Sequence, residues 1–220
     1  METAFVSLIA YGAYTLAAGY TLMLAMQDGA KTLPLAPIQA YGAAYIVASP
    51  ATIAVLWIAI RMARRDFSEY LALNWPRAGE LLRALVITAI LLMAESWVGS
   101  VVGAKEISPD PYLNAEGAGG FLIFLIGCCI AAPMMEEFVF RGFMFRGWSQ
   151  SFLGPVGSIV LTSVLWGIMH TQYDWFGRFC IFVTGLALGH FRWRSNSTWL
   201  TVMVHSAINT FLFFAMGLQL

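Results

Sequence analysis

Residues 120–140, GFLIFLIGCCIAAPMMEEFVF, are the stretch that decides the fold. A run of about 20 mostly apolar residues is long enough to cross the hydrocarbon core of a bilayer as a helix. Six other segments share this character, so the predicted spans are residues 4–26, 40–60, 82–102, 120–140, 156–170, 176–191 and 198–217. The sequence therefore predicts an all-α polytopic membrane protein with about seven transmembrane helices. The fifth and sixth spans are short and adjoin each other, which favours a hairpin of tilted or partly sunken helices.

The composition also predicts a lipid environment. Hydrophobic residues make up 60% of the chain and charged residues 11%, with a mean hydropathy of +0.74. A water-soluble domain with this balance would expose far too much apolar surface. The formal net charge is zero, so we expect no nucleic-acid partner. We expect the first apolar run to be a retained helix, because no basic segment precedes it and no small-residue cleavage site follows it.

The basic residues predict the orientation, because cytoplasmic loops hold the excess of Lys and Arg. Only Lys31, Lys105 and Arg178 fall on one side of the predicted spans. The other nine basic residues fall on the opposite side and are Arg61, Arg64, Arg65, Arg77, Arg83, Arg141, Arg146, Arg192 and Arg194. We therefore expect a cytoplasmic N-terminus and a multi-pass protein of the cell membrane.

The chain contains no internal repeat, linker or low-complexity tract, which predicts a single membrane domain over residues 1–220. Residues 66–80, DFSEYLALNWPRAGE, mix Leu, Tyr and Trp with charges. This pattern predicts a helix or turn that lies in the cytoplasmic interface of the membrane.

Ionisable residues at membrane depth are energetically expensive, so each is a candidate functional residue. The fourth span contains Glu136, Glu137 and Arg141 in the run PMMEEFVFRG. Helical geometry places Glu137 and Arg141 on one face, close enough for an ion pair, and turns Glu136 roughly 100° away. Pro133 cannot donate to the helix ladder, so we expect a kink there or a helix restart with the acid in its first turn.

Two further pairs have the spacing i, i+4, which places both members of each pair on one helix face. Trp166 and His170 lie on the fifth span, and His205 and Asn209 lie on the seventh. A carboxylate and a histidine can together deprotonate water, while an imidazole and an amide can donate to the oxyanion of an attacked carbonyl. Brought together from three helices, these side chains suit peptide hydrolysis without a serine or cysteine nucleophile.

Each candidate also has a simpler structural interpretation. An adjacent Glu and Arg in a membrane helix more often form an ion pair that orients the helices, and we prefer this role for Glu137 and Arg141. Trp166 is most simply an aromatic packing residue. Glu95 and His190 have no partner at helical spacing, so we interpret them as structural. Two histidines at depth, each sharing a face with a polar or amphipathic residue, favour a function over simple packing.

These residues resemble the CPBP family (CAAX protease and bacteriocin-processing, also called Abi). This is a family of intramembrane glutamic proteases that includes the type II CAAX prenyl endopeptidases. Its signature is E-E-x-x-x-R, F-x-x-x-H and H-x-x-x-N, and the three motifs stand here in order on three separate spans. Trp166 replaces the usual Phe of the second motif. The resemblance extends over residues 66–220, which would form a protease-like core, whereas residues 1–65 form two generic spans.

The resemblance implies that Glu136 activates water together with His170 and that His205 and Asn209 form the oxyanion site. It implies a supporting role for Glu137, Arg141 and, by position, Trp166. The implied substrates are membrane-associated peptides, including lipidated or prenylated proteins and leader-bearing peptides. No cofactor is implied, and no feature of the sequence specifies an oligomeric state.

Three alternatives remain open at this point. Glu136, His170 and His205 could hold a zinc ion with an open position for water, although no His-Glu-x-x-His motif is present. The same polar residues could serve a non-catalytic membrane scaffold or a bacteriocin immunity protein. A transporter is also possible, since buried acids and histidines mark proton and solute paths, but the chain lacks inverted repeats.

Overall fold

The structure is a computed structural model that describes residues 2–26, 37–104 and 118–217. The described residues form eight helices and no strand. They are α1 (Glu2–Met26), α2 (Pro37–Met62), α3 (Phe67–Leu71), α4 (Ala78–Val102), α5 (residues 118–149), α6 (Gly154–Met169), α7 (Trp175–Ser195) and α8 (Thr198–Gly217). The predicted all-α membrane fold is confirmed. Lys31 and Lys105, which contributed to the predicted orientation, lie outside the described residues.

Five helices are long and apolar enough to cross a membrane, namely α1, α2, α4, α5 and α8. The remaining two predicted spans correspond to α6 and α7. α6 is apolar but has 16 residues, or roughly 24 Å at 1.5 Å per residue, which is shorter than a bilayer core of about 30 Å. α7 has 21 residues but carries Arg178, His190, Arg192 and Arg194. The two form a packed helical hairpin, as predicted for the short fifth and sixth spans.

The interface segment predicted at residues 66–80 contains the short helix α3. The Asp66 side chain caps α3 by accepting a hydrogen bond from the backbone N–H of Glu69 at 2.9 Å. Ala72 ends the helix in a left-handed conformation with φ 51°. The backbone carbonyl of Ala72 then accepts a hydrogen bond from the Thr198 N–H at 2.9 Å. These contacts tie α3 to the start of α8.

α5 continues through Pro133 without interruption. Its segments are an α-helix Ala118–Ile126, a π-helix Gly127–Ala131, an α-helix Ala132–Glu137, a π-helix Phe138–Met144 and an α-helix Phe145–Ser149. Of the two outcomes expected at Pro133, a kink or a helix restart, the restart is therefore wrong. The backbone instead widens into a π-turn just before the proline, where the Ala132 N–H donates to the Gly127 carbonyl. π-helical turns inside α-helices are rare and often occur at functional sites.

The helices group into two compact units that do not follow chain order. Unit 1 consists of residues 1–64, 107–136 and 205–220, and unit 2 consists of residues 65–106 and 137–204. The described part of unit 1 thus contains α1, α2, the first part of α5 up to Glu136 and α8 from His205. Unit 2 contains α3, α4, α5 from Glu137, α6, α7 and the first turns of α8.

In unit 1, α2 crosses α5 with backbone against backbone. A Cβ atom built on Gly127 would lie 2.4 Å from the Gly42 carbonyl oxygen, so only glycine fits there. Close approach of this kind through small residues is a common way for membrane helices to pack. Farther along, the Ser49 hydroxyl lies 3.0 Å from the Ala131 carbonyl oxygen. These contacts fix the π-helical segment of α5 just before the helix reaches Glu136.

In unit 2, α6 and α7 also pack closely at glycine positions. A Cβ atom on Gly189 would lie 2.8 Å from Ile159, and a Cβ atom on Gly167 would lie 3.0 Å from the Arg178 carbonyl oxygen. The hairpin is therefore held by glycines near both of its ends. This close packing positions the end of α6, where His170 lies.

Candidate active site

Glu137 and Arg141 form a buried ion pair in unit 2. The Arg141 Nη1 lies 2.8 Å from the Glu137 Oε1, and the side chains are 1% and 0% exposed. Removing two charges from water is expensive, and close pairing in the low-dielectric interior compensates for it. The ion pair expected from the four-residue spacing is present. The charge of Glu137 is thus balanced by Arg141.

The Arg141 guanidinium makes two further contacts with neighbouring helices of unit 2. Its central carbon lies 4.4 Å from the ring centroid of Trp166 on α6, a cation–π geometry. Its Nη2 donates to the Gly185 carbonyl on α7 at 3.3 Å. The buried Arg141 side chain therefore connects α5 with both helices of the hairpin. The ring face of Trp166 contacts a charged group in addition to its role in packing.

Gly185 is a residue of this arrangement that the sequence analysis missed. A Cβ atom at this position would lie 3.0 Å from Ser163 and 3.2 Å from the Arg141 Nη2. The carbonyl oxygen of Gly185 therefore accepts a hydrogen bond from Arg141, and the glycine's lack of a side chain leaves room for the guanidinium. The sequence offered no signal for it, since nothing in the spacing of a helical glycine indicates which guanidinium lies against it.

His170 ends α6, and its ring is oriented by the preceding helical turn. The Nδ1 atom lies 2.7 Å from the Trp166 carbonyl oxygen, and the two rings meet edge to face at 5.2 Å. Because a carbonyl oxygen can only accept a hydrogen bond, Nδ1 must carry a proton. In the neutral imidazole, Nε2 then holds the lone pair, which is the form a general base needs.

Glu136 lies at the end of the α5 segment that belongs to unit 1 and is half-buried. Its carboxyl group lies near the Tyr14 hydroxyl of α1 and the Cys128 thiol of α5. The Tyr14 ring packs against the ring of Tyr45 on α2, with centroids 6.3 Å apart. The first two helices, interpreted from sequence as generic spans, thus supply polar groups near Glu136. No motif in the sequence singles out Tyr14.

Asn209 on α8 contacts the widened part of α5 in unit 1. Its Nδ2 donates to the Cys128 carbonyl at 2.8 Å. Cys128 is five residues before Pro133, so a residue with an N–H at position 133 could have supplied this hydrogen bond within the π-turn. Asn209 therefore satisfies a carbonyl that the proline leaves without a helical donor. Since a carboxamide has two N–H groups, one remains for another acceptor.

His205 lies one helical turn before Asn209 and is 4% exposed. The four-residue spacing on a continuous α8 places both side chains on the same helix face, as the sequence predicted. Unit 1 thus holds Glu136, His205 and Asn209. Unit 2 brings Glu137, Arg141, Trp166 and His170 into one connected set.

The described residues contain no group of three or more His, Cys, Asp or Glu side chains arranged to hold a metal ion. Cys128, Cys129 and Cys180 are free thiols. Glu95 accepts a hydrogen bond from Thr184 at 3.4 Å within unit 2, and His190 packs against the rings of Phe191 and Trp193. The structural interpretation of Glu95 and His190 remains a prediction.

A comparison with protein families finds a match over residues 118–211 to the Rce1-like family, described as Type II CAAX prenyl endopeptidase Rce1-like. The matched segment contains all three motifs, and the match confirms the resemblance to the CPBP family. It begins after residues 66–117, to which the predicted resemblance also extended. No curated protein and no solved structure matches the chain. The family supports a multi-pass membrane protease of the CAAX type that acts on peptide or protein substrates.

Proposed function

We propose that this chain, which carries the Rce1-like pattern over residues 118–211, is an intramembrane glutamic endopeptidase. Its substrates would be membrane-associated peptides or proteins, including prenylated and leader-bearing ones. The attacking group would be a water molecule, with no covalent enzyme intermediate. The observation that carries the proposal is the hydrogen bond between the His170 Nδ1 and the Trp166 carbonyl, because it leaves Nε2 as a proton acceptor.

In this proposal, Glu136 and His170 share the removal of a proton from water, and the hydroxide oxygen attacks the scissile carbonyl. His205 and the second N–H of Asn209 donate to the oxyanion that develops on the carbonyl oxygen. The proton taken from water is then delivered to the leaving amine, and the C–N bond breaks. The second proton of the water leaves the new carboxylic acid and protonates the amine, so the products are a carboxylate and an ammonium group, with no cofactor consumed.

Glu137, Arg141 and Trp166 have supporting roles in the proposal. Since Arg141 balances the Glu137 carboxylate in a buried pair, the two adjacent glutamates have different electrostatic environments. The ring of Trp166 contacts the Arg141 guanidinium, while its backbone carbonyl orients His170. The set would hold the base in place without touching the substrate.

The test is a cleavage assay with purified protein in lipid nanodiscs and a fluorogenic peptide, supplied with and without a C-terminal prenyl group. We expect Glu136→Gln, His170→Ala and His205→Ala each to reduce kcat by a factor of about 100 or more, the typical contribution of general acid–base or oxyanion groups. Wild-type cleavage by Glu136→Gln would overturn the proposal.

Matched controls are Glu95→Gln and His190→Ala, which remove an acid and a histidine outside the three motifs. Both variants should cleave at the wild-type rate. Metal analysis of the purified protein and activity after chelation test the zinc alternative, since a zinc enzyme would lose activity on chelation. A cellular phenotype that survives Glu136→Gln would favour the scaffold or immunity alternative instead.

A further inference from the structure

The loop that joins α6 to α7 is short and is held by several hydrogen bonds. It consists of residues 170–174 between α6 and α7, and His170 itself forms the C-terminal cap of α6. The Tyr173 N–H donates to the His170 carbonyl at 3.2 Å. The Asp174 side chain caps α7 by accepting from the Gly177 N–H at 2.8 Å. The chain thus reverses direction immediately after His170, within a few hydrogen-bonded residues.

Arg178 in the first turns of α7 holds this loop from the other side. Its Nε donates to the Tyr173 carbonyl at 2.9 Å, and its Nη2 donates to the Thr171 carbonyl at 3.0 Å. Thr171 is bonded directly to His170. The guanidinium therefore bridges two carbonyls of the loop, and one of them belongs to the residue next to His170.

The guanidinium of Arg178 binds these carbonyls rather than a carboxylate. Within the described ranges, Arg178 forms no salt bridge, and the nearby Asp174 carboxylate accepts from Gly177. The guanidinium also lies against the ring of Trp175, with its central carbon 5.0 Å from the centroid. The planar fork of an arginine can donate to two separate carbonyls, which the compact ammonium of a lysine cannot do with the same geometry.

The backbone of Arg178 is itself fixed against the end of α6. A Cβ atom on Gly167 would lie 3.0 Å from the Arg178 carbonyl oxygen and 3.4 Å from Phe182. The last turn of α6 and the first turns of α7 are therefore in close contact. Arg178 is thus held in place by the end of α6. It donates hydrogen bonds to backbone carbonyls on the C-terminal side of His170. The Trp166 carbonyl acts on the ring of His170 from the N-terminal side.

We propose that Arg178 is a positioning residue that sets the orientation of His170 by holding the carbonyls of Thr171 and Tyr173. The inference rests on the proposed function, in which His170 accepts a proton from water. Displacing a catalytic group by about 1 Å lowers the rate of the chemical step much more than it weakens substrate binding. Loss of Arg178 should therefore lower kcat and leave KM nearly unchanged.

The test measures kcat, KM and the thermal midpoint of purified variants in nanodiscs, with activity expressed per folded molecule. We expect Arg178→Gln to lower kcat by roughly 10- to 100-fold with KM within about twofold of wild type. Arg178→Lys should fall between Arg178→Gln and the wild type. Millimolar guanidinium ion should restore part of the activity of Arg178→Gln, because it can refill the space between the two carbonyls.

The matched control is Arg83→Gln. Arg83 on α4 is also an arginine whose Nε donates to a backbone carbonyl, that of Gly79 at 3.0 Å, but it does not touch the loop. It should keep the wild-type kcat. If Arg178→Gln does not fold, kcat and KM are measured on Arg178→Lys instead. If neither variant folds, Arg178 has a purely structural role and the inference is overturned.

The outcomes separate this inference from the proposed function. If His170→Ala is inactive while a folded Arg178→Gln keeps the wild-type kcat, the positioning role is wrong and the proposed function stands. If His170→Ala is fully active, the proposed role of His170 fails regardless of the result for Arg178. A folded Arg178→Gln that changes only KM would also overturn the positioning role.

Discussion

The guanidinium carbon of Arg141 lies 4.4 Å from the ring centroid of Trp166, while the same guanidinium pairs with Glu137 at 2.8 Å. A tryptophan from α6 therefore covers a buried ion pair formed within α5. Its backbone carbonyl accepts the hydrogen bond that orients His170. A change at either residue should thus affect both the stability of unit 2 and the position of the histidine.

The Glu137–Arg141 pair should be strongly destabilising when it is broken from one side. We expect Arg141→Met to lower the free energy of unfolding by about 3–5 kcal/mol, because it leaves the Glu137 carboxylate buried without its partner. The double variant Glu137→Gln with Arg141→Met should recover much of this loss. Thermal unfolding in detergent measures both effects. Equal destabilisation by the single and double variants would show that the pair itself contributes little.

Trp166→Phe should be tolerated better than Trp166→Ala. Phenylalanine keeps an aromatic face under Arg141, and the weaker cation–π contact should lower stability by roughly 0.5–2 kcal/mol. The backbone carbonyl that binds His170 is unchanged, so kcat should stay within about tenfold of wild type. Trp166→Ala should lose about 3–5 kcal/mol through the cavity it leaves. Thermal unfolding measures the losses of stability, and the nanodisc assay measures kcat. A thermal unfolding midpoint of Trp166→Ala equal to that of the wild type would contradict the prediction.

Gly185→Ala should disturb the site although it adds only one methyl group. The new Cβ atom would lie 3.0 Å from Ser163 and 3.2 Å from the Arg141 Nη2, so we expect destabilisation of about 1–3 kcal/mol and reduced cleavage. Gly12→Ala on α1 is the matched control, because nothing lies within 4 Å of its Cβ position. That variant should be neutral or up to about 1 kcal/mol more stable. Equal midpoints for the two variants would refute the steric argument.

Asn209 has a structural role and a proposed catalytic role, and a double variant can separate them. Asn209→Ala removes the donor to the Cys128 carbonyl and should lower stability by about 1–3 kcal/mol. Adding Pro133→Ala supplies a backbone N–H near that carbonyl and should restore part of the stability. Cleavage should remain low in the double variant if the second N–H of Asn209 serves the oxyanion.

The measurements for this prediction are the thermal midpoint and kcat of the two single variants and the double variant. Pro133→Ala alone is the control for changes in α5. If the double variant regains activity together with stability, Asn209 acts only as a support for the helix, and the oxyanion assignment fails.

The apolar runs and the i, i+4 spacings of the polar residues were sufficient to predict the helices, the short fifth and sixth spans and the ion pair of Glu137 with Arg141. These features are local, because one turn of a helix determines which residues share a face. The resemblance to the family was likewise predictable from three motifs in order, and the match over residues 118–211 confirms that resemblance. Orientation in the membrane and the catalytic roles remain predictions.

Only the tertiary structure decided what lies against each side chain. The carbonyls of Gly185 and Cys128 accept hydrogen bonds from side chains 44 and 81 positions away in the sequence. Every residue has a backbone carbonyl, so the sequence does not indicate which carbonyls accept a hydrogen bond from a distant side chain. The π-turn that carries α5 through Pro133 was missed for the same reason. A proline removes one donor, but whether the helix breaks or widens depends on which neighbouring helix supplies the missing hydrogen bond.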